Sequence, residues 1–476
     1  MAASDRPPVT KIASLALFVA FAALGLWVQG RLPFWSSWDM DLITAVDLFR
    51  MESGLLPQHI NHTGFGMYLP LRTVWDWLPL EAHNLTDWLA QPVPLFPLAE
   101  TITWLRALSL LAMSVLVMAV WSALPRLSVA LLLVTLPSLW LFPMLHVRTE
   151  LWAVMWYGLA FAVLPWARSP RGIVLSFFLA GLGFLTKYQG LFLHAGLVLI
   201  VFHQAPAVAW PRLPGKRTGA IVLVTFLFLG LCAALSYVPN HFATFSRATA
   251  PNFFFFAGLI LLTLPFWRAP WARLGGPLWW AVAALMAVFP LHFLMGLAPG
   301  AAWEYLVFDW RMLFLRLSKG AIAAARTENI FLWSLQHHAG LLLVWALLAG
   351  RHWRRGGKRE RIFVAAYALL ILLSLKLATR GHIQDALWND FLLLFGLLPF
   401  LPGLPRRWDW ALVPLVAIQL YQIRHIAEEP HIAEDQLDRY WLEPYESPDV
   451  GYTEAMARLL PWRDLINREA RTLPAR

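Results

Sequence analysis

Residues 149–203 read TELWAVMWYGLAFAVLPWARSPRGIVLSFFLAGLGFLTKYQGLFLHAGLVLIVFH. Three apolar runs, 149–166, 172–186 and 188–203, follow one another with almost no pause. The first turn between them carries Arg168 and Arg171, the second only Lys187. A bilayer core about 30 Å thick takes roughly 20 apolar residues per helix, fewer where the protein itself lines a cavity. The stretch therefore predicts three consecutive membrane-crossing helices.

Working outward, ten further segments qualify: 12–29, 102–122, 127–143, 219–238, 252–267, 277–297, 330–349, 362–378, 388–402 and 408–421. The expected fold is an all-α polytopic membrane protein of 13 transmembrane helices. Its body would span 1–421, with a short outer-face tail over 422–476 that contains Pro430, Pro444 and Pro448. Composition agrees. Of 476 residues 59% are hydrophobic and 14% charged, against about 25% charged in soluble domains. The run after Arg6 and Lys11 is built like a signal peptide, but no small-x-small cleavage site precedes Arg31, so it reads as a retained signal-anchor helix. Cys232 is the single cysteine, which excludes a disulfide and a Cys-built metal site.

The net charge of +10 does not indicate nucleic acid, because the basic residues sit in short clusters between apolar runs. With a cytoplasmic N-terminus, the inner loops hold Arg126; Arg168 and Arg171; Arg212, Lys216 and Arg217; Arg268 and Arg273; the cluster Arg351 to Arg361; and Arg406 with Arg407. Only Glu360 and Asp409 oppose them, and the outer loops hold nearly all the acids. A miscount by one helix would scramble this alternation in every later loop. The pattern predicts an inner-membrane protein, bacterial in type, whose site faces outward.

The long outer loop 30–100 opens Trp38-Asp39-Met40-Asp41. Stretch 42–51 sets Leu42, Val46 and Phe49 on one face, suited to a helix lying on the membrane surface. Asp39 and Asp41 would then sit at the membrane–water boundary, placed to take a proton from an acceptor hydroxyl. The competing account is a solvated N-cap for a helix starting at 42. His59 and His62 stand three apart, a spacing that a divalent metal would tolerate. With Gly64 and Gly66 following, a ligand-binding loop is the better description. Asn61-His62-Thr63 and Asn84-Leu85-Thr86 match the N-glycosylation sequon.

The runs flanking Lys187 are about 15 residues, roughly 22 Å at 1.5 Å per residue. Lys187 is therefore expected below the outer surface, either snorkelling to the interface or held in a polar cavity for an anionic head group. Other outer-face cations are Arg148, Arg311, Arg316, Lys319 and Arg380, the last with His382 close by. Arg148 has Glu150 as a nearby pairing partner. Together these residues suggest a cationic pole for phosphate beside an acidic pole.

This layout resembles the GT-C class of membrane glycosyltransferases, in particular the family 39-like enzymes related to protein O-mannosyltransferases and lipid A aminoarabinose transferases. The motifs are Trp38-Asp39-Met40-Asp41, His62-Thr63-Gly64-Phe65-Gly66-Met67-Tyr68-Leu69-Pro70, Arg148-Thr149-Glu150, and Gly181 or Gly183 leading to Lys187-Tyr188-Gln189-Gly190. They cover the first 200 residues or so; beyond that the likeness is one of topology. The resemblance implies transfer of a sugar from a polyprenyl-phosphate donor to a hydroxyl on a lipid, glycan or protein acceptor. It implies Asp39 as the base, with Asp41 second, and Lys187, Arg148 and Arg380 around the lipid phosphate. His59, His62, Glu150, Tyr188 and His382 complete the expected binding set. Asp-Met-Asp replaces the commoner Asp-Glu pair, which leaves two candidate bases and room for a divalent metal. The tail is too small for the domain that carries the Trp-Trp-Asp motif of oligosaccharyltransferases. A transporter or flippase of lipid-linked glycans is the rival reading, although no internal repeat is visible.

Overall fold

The computed structural model describes residues 8–29, 38–55, 57, 64–93, 95–123, 147–164, 170–187, 190–204, 288–297, 299–306, 335, 338–377, 383–401 and 414. Most of these residues are helical, and no strand occurs among them. The helices are α1 (Pro8–Gln29), α2 (Trp38–Glu52), α3 (Phe65–Trp75), α4 (Leu85–Ala90), α5 (Leu95–Ala123), α6 (Thr149–Val163), α7 (Pro170–Thr186), α8 (Leu191–Gln204), α9 (Ala339–Arg355), α10 (Lys358–Leu377) and α11 (Ile383–Leu397). A short 3-10 turn covers Phe289–Leu294. The all-α expectation therefore holds. Eight of the predicted runs overlap α1 and α5 to α11, and run 330–349 is displaced, α9 covering Ala339–Arg355. Of run 277–297 only 288–297 is described, and it holds a 3-10 turn at Phe289–Leu294, not the expected α-helix. Runs 127–143, 219–238 and 252–267 lie outside the described residues, as do 408–421 apart from 414 and the tail 422–476. Among the described residues one helix, Phe96–Ala123, is by itself long and apolar enough to cross a membrane.

Two helical groups are joined through α6 and α8. In the first, α5 packs on α1 and α6, and α6 packs on α7. In the second, α9, α10 and α11 pack on one another, and α8 contacts both α10 and α11. Helix α6 touches α11, where Phe161 and Phe395 stack at 3.9 Å. Large apolar side chains remain outside this packing. Ile12, Leu15, Val19 and Leu26 are exposed on α1, Leu343 and Leu347 on α9, and Ile362, Leu369, Leu372 and Leu373 on α10. The α9 pair is spaced i, i+4, and the last three α10 residues i, i+3, i+4, so each set lies on one helical face.

Residues 38–55 and 64–93 fold as a small helical layer on the first group. Helix α2 begins at Trp38, not at 42, and Thr44 to Met51 are buried all round, Asp47 and Arg50 included. It is not the surface-lying helix its periodicity suggested. Helices α4 and α5 pack against it, Phe49 stacks on Trp88 at 5.4 Å and meets Trp75 edge-on, and Asp47 accepts a 2.9 Å bond from the Tyr68 hydroxyl. Burial and Asp47 together hold that phenol well above its usual pKa. Asn84 of the second sequon caps α4 by accepting from the Asp87 N–H at 2.9 Å.

Two glycines dock α3. Gly64 has φ 60°, a left-handed conformation that suits glycine, and its N–H donates to the Thr186 carbonyl at 3.0 Å. Gly66 lies so close to α7 that an added Cβ would fall 2.1 Å from Thr186 Oγ1 and 2.6 Å from the Leu182 carbonyl oxygen. Its own carbonyl accepts from Trp156 Nε1 at 2.7 Å. Gly66→Ala is accordingly expected to cost about 1–3 kcal/mol by overpacking, read as a lower melting temperature in detergent. Gly300→Ala, where a Cβ meets nothing within 4 Å, should melt like the parent protein; equal melting of both variants would show that α3 does not pack this closely.

A buried charged cluster as candidate functional site

Asp41 lies in the first turn of α2, with no part of its surface exposed. Its Oδ2 accepts from Arg106 Nε at 2.8 Å, and its Oδ1 accepts from the Val147 backbone N–H. Arg106 is on α5 and is buried, and Val147 immediately precedes Arg148 at the start of α6. One carboxylate thus ties the loop helix, the long helix α5 and the entry to α6 together. Both its oxygens are engaged, and it is not a solvated cap.

The chain of charge continues. Arg148 lies close enough to act electrostatically on Asp41. Glu150, one position further into α6 than Thr149, accepts from Lys187 Nζ at 2.7 Å through Oε1 and from Thr149 Oγ1 at 3.2 Å through Oε2. Lys187 ends α7 and is 1% exposed. It does not snorkel, and its counter-ion is a carboxylate on the neighbouring helix. The α6–α7 packing places this pair, because α7 ends at Thr186 beside the Gly64 contact. Gly190 donates its N–H to the Lys187 carbonyl, which turns the chain into α8.

Five charged residues from α2, α5, the start of α6 and the end of α7 are therefore buried, in two groups: Asp41 with Arg106 and the nearby Arg148, and Glu150 with Lys187. Ionised groups out of water cost several kcal/mol each unless paired, and such clusters concentrate at functional sites. Burial pushes the Asp41 carboxyl up to about 6, against the lowering effects of Arg106, the Val147 N–H and Arg148. Desolvation outweighs the ion pair.

Of the residues expected from sequence, the fold gathers Asp41, Arg148, Glu150 and Lys187 into these two groups. Asp39 sits two residues before Asp41 in the same first turn. His59, His62, Tyr188, Arg380 and His382 lie outside the described residues. Among the described residues, no three His, Cys, Asp or Glu side chains converge as a metal-ligand set. Sequence reading missed Arg106, although it is the single charge in the run 102–122, the kind of residue that marks a site inside a bundle. It also missed a second polar centre, in which His338 Nδ1 meets Asp390 Oδ1 at 2.8 Å and Ser374 Oγ donates to Asn389 Oδ1 at 2.6 Å. Comparison of the chain with family models, characterised proteins and solved structures finds no match.

The Asp41 carboxyl yields a signed pH dependence. Its pKa is raised on folding, so its contribution to stability is full below about 4 and is lost as pH rises through about 6. Relative to Asp41→Asn, the parent should therefore lose about 2 kcal/mol of stability between pH 4 and pH 6.5, followed by thermal unfolding in detergent. A parent-to-variant difference that stays flat over this range would contradict a buried, desolvated carboxyl.

Proposed function

We propose that this chain is a multi-pass membrane glycosyltransferase, with 13 spans and a cytoplasmic N-terminus. It would move a sugar from a polyprenyl-phosphate donor to a hydroxyl of a lipid, glycan or protein acceptor on the outer face. The observation that carries the reading is the set of buried cations Arg106, Arg148 and Lys187, with Asp41 and Glu150 as the carboxylate partners of the first and last. The exposed apolar faces of α1, α9 and α10 support placement in lipid.

The chemistry asks for little else. A base takes the acceptor's O–H proton, and the oxygen forms a bond to the anomeric carbon. The bond from that carbon to the phosphate oxygen breaks, and its electron pair leaves with the phosphate. A phosphate leaving group needs no proton, only stabilised charge, and buried arginine and lysine supply that. Arg148, at the start of α6, and Lys187, at the end of α7, are the cations we assign to the phosphate. Asp41 is fully occupied by Arg106 and Val147. We assign it a positioning role, which leaves Asp39 as the base. His59, His62, Tyr188, Arg380 and His382 remain the proposed contacts from the flanking outer segments.

Asp39→Asn is expected to abolish sugar transfer from a polyprenyl-phosphate sugar while donor binding is kept. Lys187→Met combined with Glu150→Gln, which removes both buried charges together, should weaken donor binding roughly tenfold or more. Membrane glycolipid mass analysis and donor binding by the purified protein give the two readouts. Full transfer by Asp39→Asn would remove the base assignment. Movement of the lipid-linked sugar across vesicles without any transferred product would identify a flippase instead.

A further inference from the structure

The second polar centre is built from three helices. His338 stands at the N-terminal end of α9, Ser374 near the end of α10, and Asn389 and Asp390 on α11. All four side chains are at most 1% exposed. Asp390 Oδ1 and His338 Nδ1 are 2.8 Å apart, which fixes the imidazole ring. The other ring nitrogen, Nε2, is buried and has no hydrogen-bond partner among the described residues. Buried polar atoms are nearly always satisfied, and leaving one unmet costs about 1–3 kcal/mol. A polar group from outside the chain would satisfy this nitrogen.

We propose that His338, held by Asp390, is a hydrogen-bonding position for a ring hydroxyl of the donor's sugar. This rests on the sugar-transfer reading and assigns a contact within it. A hydroxyl suits the site because it both donates and accepts, so it satisfies Nε2 whether the ring is neutral or protonated. A phosphate oxygen only accepts, and it would lie beside the Asp390 carboxylate.

On straight-helix geometry the centre comes within reach of Glu150 on α6. Phe161 and Phe395 mark a shared level on α6 and α11. Glu150 precedes Phe161 by 11 residues and Asp390 precedes Phe395 by five, so they rise roughly 16 Å and 8 Å above that level. Both helices run inward from the outer face in the topology set by charge. An axial offset of about 9 Å across neighbouring helices 8–10 Å apart separates the two centres by roughly 13 Å. Two hydrogen bonds of about 3 Å leave roughly 7 Å between them, which a sugar phosphate spans. The donor would lie with its phosphate at Arg148 and Lys187 and its ring reaching His338.

The test compares binding of polyprenyl phosphate with and without the sugar. His338→Ala should lose roughly tenfold in affinity for the sugar-bearing lipid and nothing for the bare phosphate. His338→Asn keeps a donor toward Asp390 but lacks Nε2. It should show the same selective loss, with the parent's elution profile and melting temperature. Against deoxy-sugar donors, one analogue should bind parent and His338→Asn equally. If His338→Asn binds the sugar-bearing lipid like the parent, or if the loss is the same for both lipids, the centre is a helix clip and the assignment falls. If the parent itself does not distinguish the two lipids and transfers no sugar, it is the sugar-transfer reading that fails.

Discussion

Asp41 is a carboxylate held away from water, and its surroundings have to answer for that. Removing an ionised carboxylate from water costs several kcal/mol even after relaxation. A guanidinium at 2.8 Å and a backbone N–H recover part of it, and the carboxyl still sits near 6 rather than at its ordinary value. The constraint is geometric as well as energetic. Arg106 and Val147 must both stay in reach, so α2, α5 and the entry to α6 cannot move independently. Removing one partner would leave a buried charge uncompensated, a change worth about 3–5 kcal/mol.

From that junction the rest of the cluster follows. Val147 is pinned to Asp41, which sets where Arg148 and Glu150 start along α6. Glu150 in turn receives Lys187 from the end of α7, and close packing of Gly66 on Thr186 and Leu182 brings α3 over the same end. Helices α2 to α4 are thus a covering layer, joined to the bundle beneath through Asp41 and the α3 glycines. Its apolar contacts, Phe49 with Trp75 and Trp88, seal the other side of α2. In the sugar-transfer reading this rigidity has a purpose. Preorganised cations need no reorientation when charge develops on the departing phosphate.

The second polar centre is of a different kind. His338 with Asp390, and Ser374 with Asn389, join three helices whose lower parts meet through apolar and aromatic contacts such as Trp345 with Tyr367. Here one ring nitrogen is left over, and in the cluster around Asp41 both oxygens of the carboxylate are used. The first arrangement suits a position that awaits a ligand group, and the second a strut.

The sequence by itself determined the helical fold and the positions of eight of its helices, because apolar runs bounded by charged turns record desolvation directly, residue by residue. It also pointed to Asp41, Arg148, Glu150 and Lys187, since charges beside such runs stand out in composition alone. Pairing could not be read this way. Lys187 could have snorkelled, and Arg148 stood two residues from Glu150; the 2.7 Å contact between Lys187 and Glu150 forms across the α6–α7 packing. Arg106 is 65 residues from Asp41, and His338 is 52 from Asp390. Hydrogen bonds of 2.8 Å between such distant residues depend on how helices pack, which only the tertiary structure decides. For the same reason α2 looked like a surface helix from its period of apolar residues, and became a buried one when α3 and α5 supplied polar partners for Asp47, Glu52 and Asp41 and α4 covered Phe49.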